Sequence, residues 1–347
     1  MKKIFTGLFN NWDSIVNSID TEDWSRKYSH LRDIILAGGD TETLISKNEF
    51  DFLLSRVREK VKTIGGNGAN AAVALSEAGI TPVMSCPART RDMLEKLQNC
   101  GIKIAGPKGM ISPADSIISG EDYEHIAVEN GNFRHLFTYD KITEECVLDY
   151  DFLRSLKSAD LLWISGFHLV SGDFKNRIKE LGDLLEDRMF KIHLELGRGT
   201  NMMEFAFKYL TKRNAINSLG FDESEIDIIG IKPHKMNLKD GLEMVSEKNN
   251  IEKVVLHTSN FVSTFSIAMN DKFIEAAERA VDMTAAKSLG FINENMKMEA
   301  KELPLSGLNK IAEDNFMMIP ARINPNPKQV TGLGDCFSVL DFYYSFS

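Results

Sequence analysis

The run Gly332-Leu333-Gly334-Asp335 stands between Asn326-Pro327-Lys328-Gln329-Val330-Thr331 and an apolar tail that reads as a helix. Glycines let a backbone approach a ligand closely, and the free N–H groups and positive dipole end of a helix start suit a phosphate. Gly332, Leu333 and Gly334 therefore form an expected anion hole. An aspartate in the first turn, here Asp335, can take the proton from a hydroxyl that attacks such a phosphate. An ordinary loop with an acid well placed at a helix start would leave the same letters.

Three further runs carry groups able to do chemistry. In Gly65-Gly66-Asn67-Gly68-Ala69-Asn70, paired glycines expose backbone N–H groups, and Asn67 offers both a donor and an acceptor to a polyhydroxy substrate. Tight helix packing is the better account of Gly68 and Ala69, and Gly66 and Asn67 are the expected substrate contacts. In His193-Leu194-Glu195, strand alternation puts His193 and Glu195 on one face, where Glu195 could hold magnesium directly or through water. A hydrogen-bonded core pair is the alternative. In Ser218-Leu219-Gly220-Phe221-Asp222-Glu223-Ser224-Glu225, Asp222 and Glu225 are spaced either to bind a hydrated cation or to form a capping box.

The elements that must position these residues follow from apolar runs and punctuation. Asp33 to Ala37, ended by Gly38-Gly39-Asp40, reads as a buried strand, and Gly68 to Gly79 as a tightly packed helix. Thr81–Cys86, Asp160–Ser165, Phe190–Leu196 and Val254–His257 read as strands, with helical stretches such as Asp173–Asp187 and Asp271–Leu289 between them. Such alternation implies an α/β fold with a mostly parallel central sheet covered on both faces. Two β-prone pieces, His125–Val128 and Arg134–Tyr139, flank Asn130-Gly131 and read as a hairpin. A small discontinuous β-containing lid is therefore expected from about 40–65 and 102–149, on a core that spans 1–347.

Composition narrows the partners. The 347 residues are 43% hydrophobic, enough for a sizeable core, and the net charge of −9 comes from 41 basic and 50 acidic residues mixed along the chain. Attraction to nucleic acid is not expected from that balance, and no window is apolar enough for a membrane span. Cys86, Cys100, Cys146 and Cys336 are too scattered for a metal or redox pair, which points to reduced cytoplasmic thiols. A small polar metabolite is the expected partner.

Taken in order, the four runs resemble the ADP-dependent glucokinase and phosphofructokinase family of the ribokinase-like fold. The most specific element is Asn326-Pro327 followed by Gly332 to Asp335; His193 and Glu195 match the family's His-x-Glu motif. Its Asn-x-x-Glu motif is matched at Glu225 but departs at Asp222. The resemblance implies transfer of a phosphoryl group from ADP to a sugar or sugar phosphate, giving AMP, with Mg2+ near Glu195, Glu225 and Asp222. It implies that Asp40 contacts sugar hydroxyls, and that Arg134, in Asn132-Phe133-Arg134-His135-Leu136, lies near the nucleotide phosphates. On the nucleotide side it places His193, His257, Thr258, Asn326 and Gly332. The sequence ends soon after Asp335, which favours the ADP-dependent branch over an ATP-dependent carbohydrate or nucleoside kinase of the same fold. Asp222 keeps open a catalytically idle nucleotide or sugar sensor.

Overall fold

The computed structural model describes residues 2–16, 19–22, 24–37, 41–130, 133–186, 188–197, 200–232 and 234–347. Short apolar runs become strands, in chain order β1 (Ile4–Gly7), β2 (Asn11–Val16), β3 (Thr41–Leu44), β4 (Val61–Gly65), β5 (Val83–Met84), β6 (Lys103–Gly106), β7 (Gly109–Ile111) and β8 (Glu124–Asn130). There follow β9 (Phe133–Tyr139), β10 (Leu161–Ile164), β11 (Lys191–Glu195), β12 (Ser218–Phe221), β13 (Lys253–His257), β14 (Phe261–Ser266), β15 (Ile311–Ala312) and β16 (Phe316–Pro320).

The large sheet has the order β15-β16-β14-β13-β12-β11-β10-β1-β5-β6-β7. Pairing is parallel from β13 across to β6 and antiparallel at both edges. Alternate residues of the central strands enter opposite cores. Phe5, Leu162, Ile192 and Leu219 pack with Ile178, Met203 and Leu242, while Ile4, Trp163 and Val255 pack with Leu75, Ala277 and Leu340. Burial on both faces is what a parallel sheet between helical layers requires. No described helix is long and apolar enough to cross a membrane.

The small sheet runs β3-β9-β8-β2-β4. Helices Ser29–Ala37 and Lys47–Arg56 cover one face, burying Leu31, Ile35, Phe50 and Leu53 against Val16, Ile126, Val128 and Phe137. Polar contacts help tie this sheet to the loops of the large one. His168, just after β10, pairs with Glu42 on β3 at 3.0 Å, and Arg134 on β9 donates to Thr331 Oγ1 at 2.8 Å.

Two sequence expectations change. Asp33 to Ala37 is part of a helix, not a strand: Leu31 and Ile35, four apart, are buried while Leu36 is exposed, a helical period that a short apolar run conceals. The stretch 103–111 pairs with the edge of the large sheet, and β2 enters the small one.

Candidate active site

Gly332 opens the C-terminal helix Leu333–Phe346 with φ of +76°, a left-handed conformation that favours glycine. A Cβ there would sit 3.0 Å from Asn70 Cγ, and one at Gly334 would sit 3.3 Å from His257 Cε1. Both glycines thus let the helix start settle between Asn70 and His257. Asp335 follows in the first turn and is buried. Asn67 Nδ2 donates to its Oδ1 at 2.9 Å and Asn70 Nδ2 to its Oδ2 at 3.1 Å. Those asparagines belong to helix Asn67–Glu77, entered through Gly66 at φ of +89°, where a Cβ would meet Phe9 O at 2.8 Å. Burial pushes the Asp335 carboxyl up to about 6; the Asn67 amide pulls it back, the Glu195 charge raises it, and Asn70 and His257 lower it. A carboxylate poised there is a competent base near neutral pH.

Behind Asp335 lies a buried polar cluster. Ser338, three residues further along the helix, accepts from Trp163 Nε1 at 2.9 Å, lies 2.9 Å from His193 Nε2 and bonds Glu195 Oε2. His193 is enclosed, with Nδ1 2.9 Å from Ser218 Oγ and Nε2 3.0 Å from Glu195 Oε2, so its place is behind Glu195 rather than at an open surface. His257 Nε2 meets the other oxygen, Glu195 Oε1, at 2.7 Å. Burial opposes both charges of this pair, but His257 and His193 together hold Glu195 low, and Glu195 with Glu225 and Asp222 holds His257 high. Gly220 on β12 leaves the space Glu195 fills; a Cβ would collide with Oε2.

Asp222 and Glu225 form the capping box. Asp222 Oδ1 accepts from Ser224 N at 2.7 Å, and Glu225 Oε2 accepts from Asp222 N at 2.9 Å. Burial, then the Asp222 and Glu195 carboxylates, push Glu225 up to about 8. Among the described residues no three acidic, histidine or cysteine side chains converge as a direct metal-ligand set. The three carboxylates feel one another without caging an ion. That donor set does not fit a protein-held metal; it fits contact through water with a cation carried by nucleotide phosphates, since Mg2+ keeps several of its waters.

A second constellation, absent from the sequence reading, lies on the small sheet. Asn11 and Asp13 on β2 are buried, and Asn11 Oδ1 and Asp13 Oδ1 lack a protein hydrogen-bond partner. Both oxygens point at the space a Gly65 Cβ would occupy. Asn11 Nδ2 donates to Asp140 Oδ2 at 3.3 Å, and the edge of Asp13 faces His125. In sequence, Asn10 and Asn11 look only like an interruption of the apolar start; the signal is two polar residues at alternate positions beside a Gly-Gly turn.

Of the other expected contacts, Thr258 Oγ1 is engaged in its own turn, accepting from Asn260 N and Phe261 N at 3.0 Å. Asn326 is exposed, its N–H donating to Asn324 Oδ1 at 3.0 Å. Asp40 and Asn132 lie outside the described residues.

Residues 34–344 match the conserved region of the ADP-specific phosphofructokinases and glucokinases. The chain belongs to this family. It is accordingly a phosphotransferase that uses ADP to phosphorylate a sugar hydroxyl. No curated protein matches the sequence. Among solved structures, an ADP-dependent kinase in complex with fructose-6-phosphate and ADPβS is similar, with a TM-score of 0.79 at 14% identity, over 99% of this chain and 93% of that one. A hypothetical ADP-dependent phosphofructokinase from Pyrococcus horikoshii OT3 superposes with a TM-score of 0.76 at 16% identity, over 99% and 98% of the two chains. Adenosine kinase from Sinorhizobium meliloti shares the ribokinase-like fold more loosely, with a TM-score of 0.55 at 13% identity, over 77% of this chain and 78% of that one.

Proposed function

We propose that this ADP-dependent kinase uses Asp335 as general base on a sugar or sugar-phosphate acceptor seated between Gly65–Asn67 and the Asn11–Asp13 edge of the small sheet. The observation that carries the reading is a continuity of chain. Gly65 faces the two unpartnered oxygens, and Asn67, two residues on, holds Asp335. A polyol supplies the hydrogen-bond donors those oxygens lack, and buried acceptors without partners are costly. The acceptor O–H gives its proton to Asp335, its oxygen bonds the β-phosphorus of ADP, the bond from that phosphorus to the bridging oxygen breaks, and AMP leaves with that oxygen.

The N–H groups of Gly332 and Gly334 receive the transferred phosphate, beside Leu333, whose N–H donates to Val330 O at 3.4 Å, and Arg134, through its contact with Thr331, brings a positive charge to the same edge. Thr258 and Asn326 border the nucleotide, while His257 stands beneath the anion hole against Gly334. The small sheet acts as a lid, latched by the Glu42–His168 pair and by Arg134. Magnesium, arriving with ADP, would neutralise phosphate charge through water-mediated contact with Glu195, Glu225 and Asp222. The fructose-6-phosphate complex of the similar kinase supports a sugar phosphate as one acceptor to test. The test is a screen of ADP with magnesium against sugars and sugar phosphates, following AMP. Failure of every sugar and sugar phosphate to yield AMP would contradict the reading.

A further inference from the structure

His125 is 3% exposed, on β8, in register with Asp13 of β2. Its Nε2 lies 3.2 Å from Asp140 Oδ2 and 3.1 Å from Asn11 Nδ2, and its Nδ1 lies 3.7 Å from Asp13 Oδ1. Asp140 is the residue at which the chain leaves β9 for the core of the large sheet. Its Oδ1 accepts from Ile142 N at 3.0 Å and Thr143 N at 3.1 Å, capping helix Lys141–Glu144, and its Oδ2 accepts from Thr143 Oγ1 at 2.7 Å. Ile142 is part of the core under the large sheet. One imidazole therefore spans from a carboxylate fixed to the large layer to the carboxylate that faces Gly65.

We propose that His125 is a positioning residue that ties Asp13, in the acceptor pocket, to Asp140 at the junction of the two sheets, and that its protonated form is the one that binds acceptor well. The inference rests on the reading of Asn11 and Asp13 as acceptor contacts. A doubly protonated ring donates to Asp140 and sets its charge 3.7 Å from Asp13 Oδ1, too far for a hydrogen bond, so that oxygen stays open to a ligand beside a positive charge; a neutral ring removes the charge. The charged groups around it are Asp13 on β2, Glu42 on β3 and Asp140 after β9, with Arg134 on β9 acting on Asp13. Burial opposes a charge on His125, but Asp140, then Asp13 and Glu42, outweigh it and lift its pKa above the ordinary histidine value. Burial, against the pull of His125 and Arg134, likewise raises Asp13. With the His125 pKa raised, the cation is complete below that pKa and is lost as pH rises through it. Asp13 then loses its nearest positive neighbour.

The experiment measures acceptor KM in the whole chain, with the sugar or sugar phosphate that yields AMP from ADP, from about pH 6 to about pH 9. Wild-type acceptor KM rises toward alkaline pH. In His125→Gln it is flat with pH at roughly ten times the wild-type value of acid pH, so the two enzymes converge toward alkaline pH, while ADP KM stays within about twofold, as expected for one charge-assisted contact. Asp140→Asn, which alters a group outside the pocket, raises acceptor KM in the same direction. A wild-type acceptor KM that is flat with pH overturns the inference without any variant. So does a His125→Gln enzyme with the wild-type acceptor KM at acid pH, or one in which ADP KM moves equally. If no sugar or sugar phosphate gives AMP with the wild type, the functional reading falls and this inference with it.

Discussion

Asp335 and Asp13 are both buried aspartates, yet they are held in different ways. Asp335 has one asparagine amide on each oxygen, and the groups behind it, Glu195, His193, His257, Ser338 and Trp163, bond one another. Asp13 keeps an oxygen without a protein partner, beside that of Asn11, over a glycine that leaves them room. Under the proposed function, the difference separates two tasks. A base must be fixed before the reaction, because in-line transfer tolerates little misplacement. A binding edge can leave acceptors open for a ligand to satisfy, at the expense of stability in the empty protein.

Changes on the base side should therefore strike turnover, and changes on the open side should strike acceptor affinity. The largest expected effect is from Asp335→Asn, with kcat lowered on the order of a hundredfold or more while ADP binding by calorimetry persists. Folding lifts this carboxyl from 3.8 to about 6, so protonation favours the fold. The stability it contributes is complete below about pH 4 and gone above about pH 6. The Tm of Asp335→Asn at neutral pH should accordingly match or exceed the wild type; a large fall would mark the residue as structural. Next in size, Asp13→Asn should raise acceptor KM by roughly tenfold or more, with ADP KM little changed in steady-state kinetics. An equal rise in both would erase the distinction between the sides. Smaller again, Asn67→Ala removes a bond that favours the ionised base, so the acid limb of the kcat profile, expected near the raised Asp335 value, should move to higher pH. The smallest effect is a several-fold rise in the magnesium needed by Glu225→Gln, read from activity titrations. An unchanged requirement would leave Glu225 with the capping role alone.

The base side was legible in the sequence because it is written locally. Gly332 to Asp335 is one contiguous turn, His193 and Glu195 are alternate residues of one strand, and Gly66-Asn67 opens a helix. The α/β alternation and the β8–β9 hairpin were readable for the same reason. The open side depends on register between distant strands: Asn11 pairs with Gly65, Asp13 with Thr63 and His125, pairings no local pattern encodes. The helix Ser29–Ala37 was hidden because its buried stripe is Leu31 and Ile35, of which only Ile35 falls in the short run Asp33–Ala37, and that run alone looks like a strand. The Asp222–Glu225 spacing served two readings; the fold forms the capping box, and the magnesium titration of Glu225→Gln tests the other.

The most direct test of the account is to follow AMP and phosphorylated sugar together, from ADP and separately from ATP, each nucleotide freed of the other, in the wild type and Asp335→Asn. The account predicts one AMP per phosphorylated sugar, a higher kcat/KM with ADP than with ATP, and loss of both products in the variant. AMP released without acceptor, a preference for ATP, or a variant that keeps more than about a tenth of wild-type kcat would contradict it.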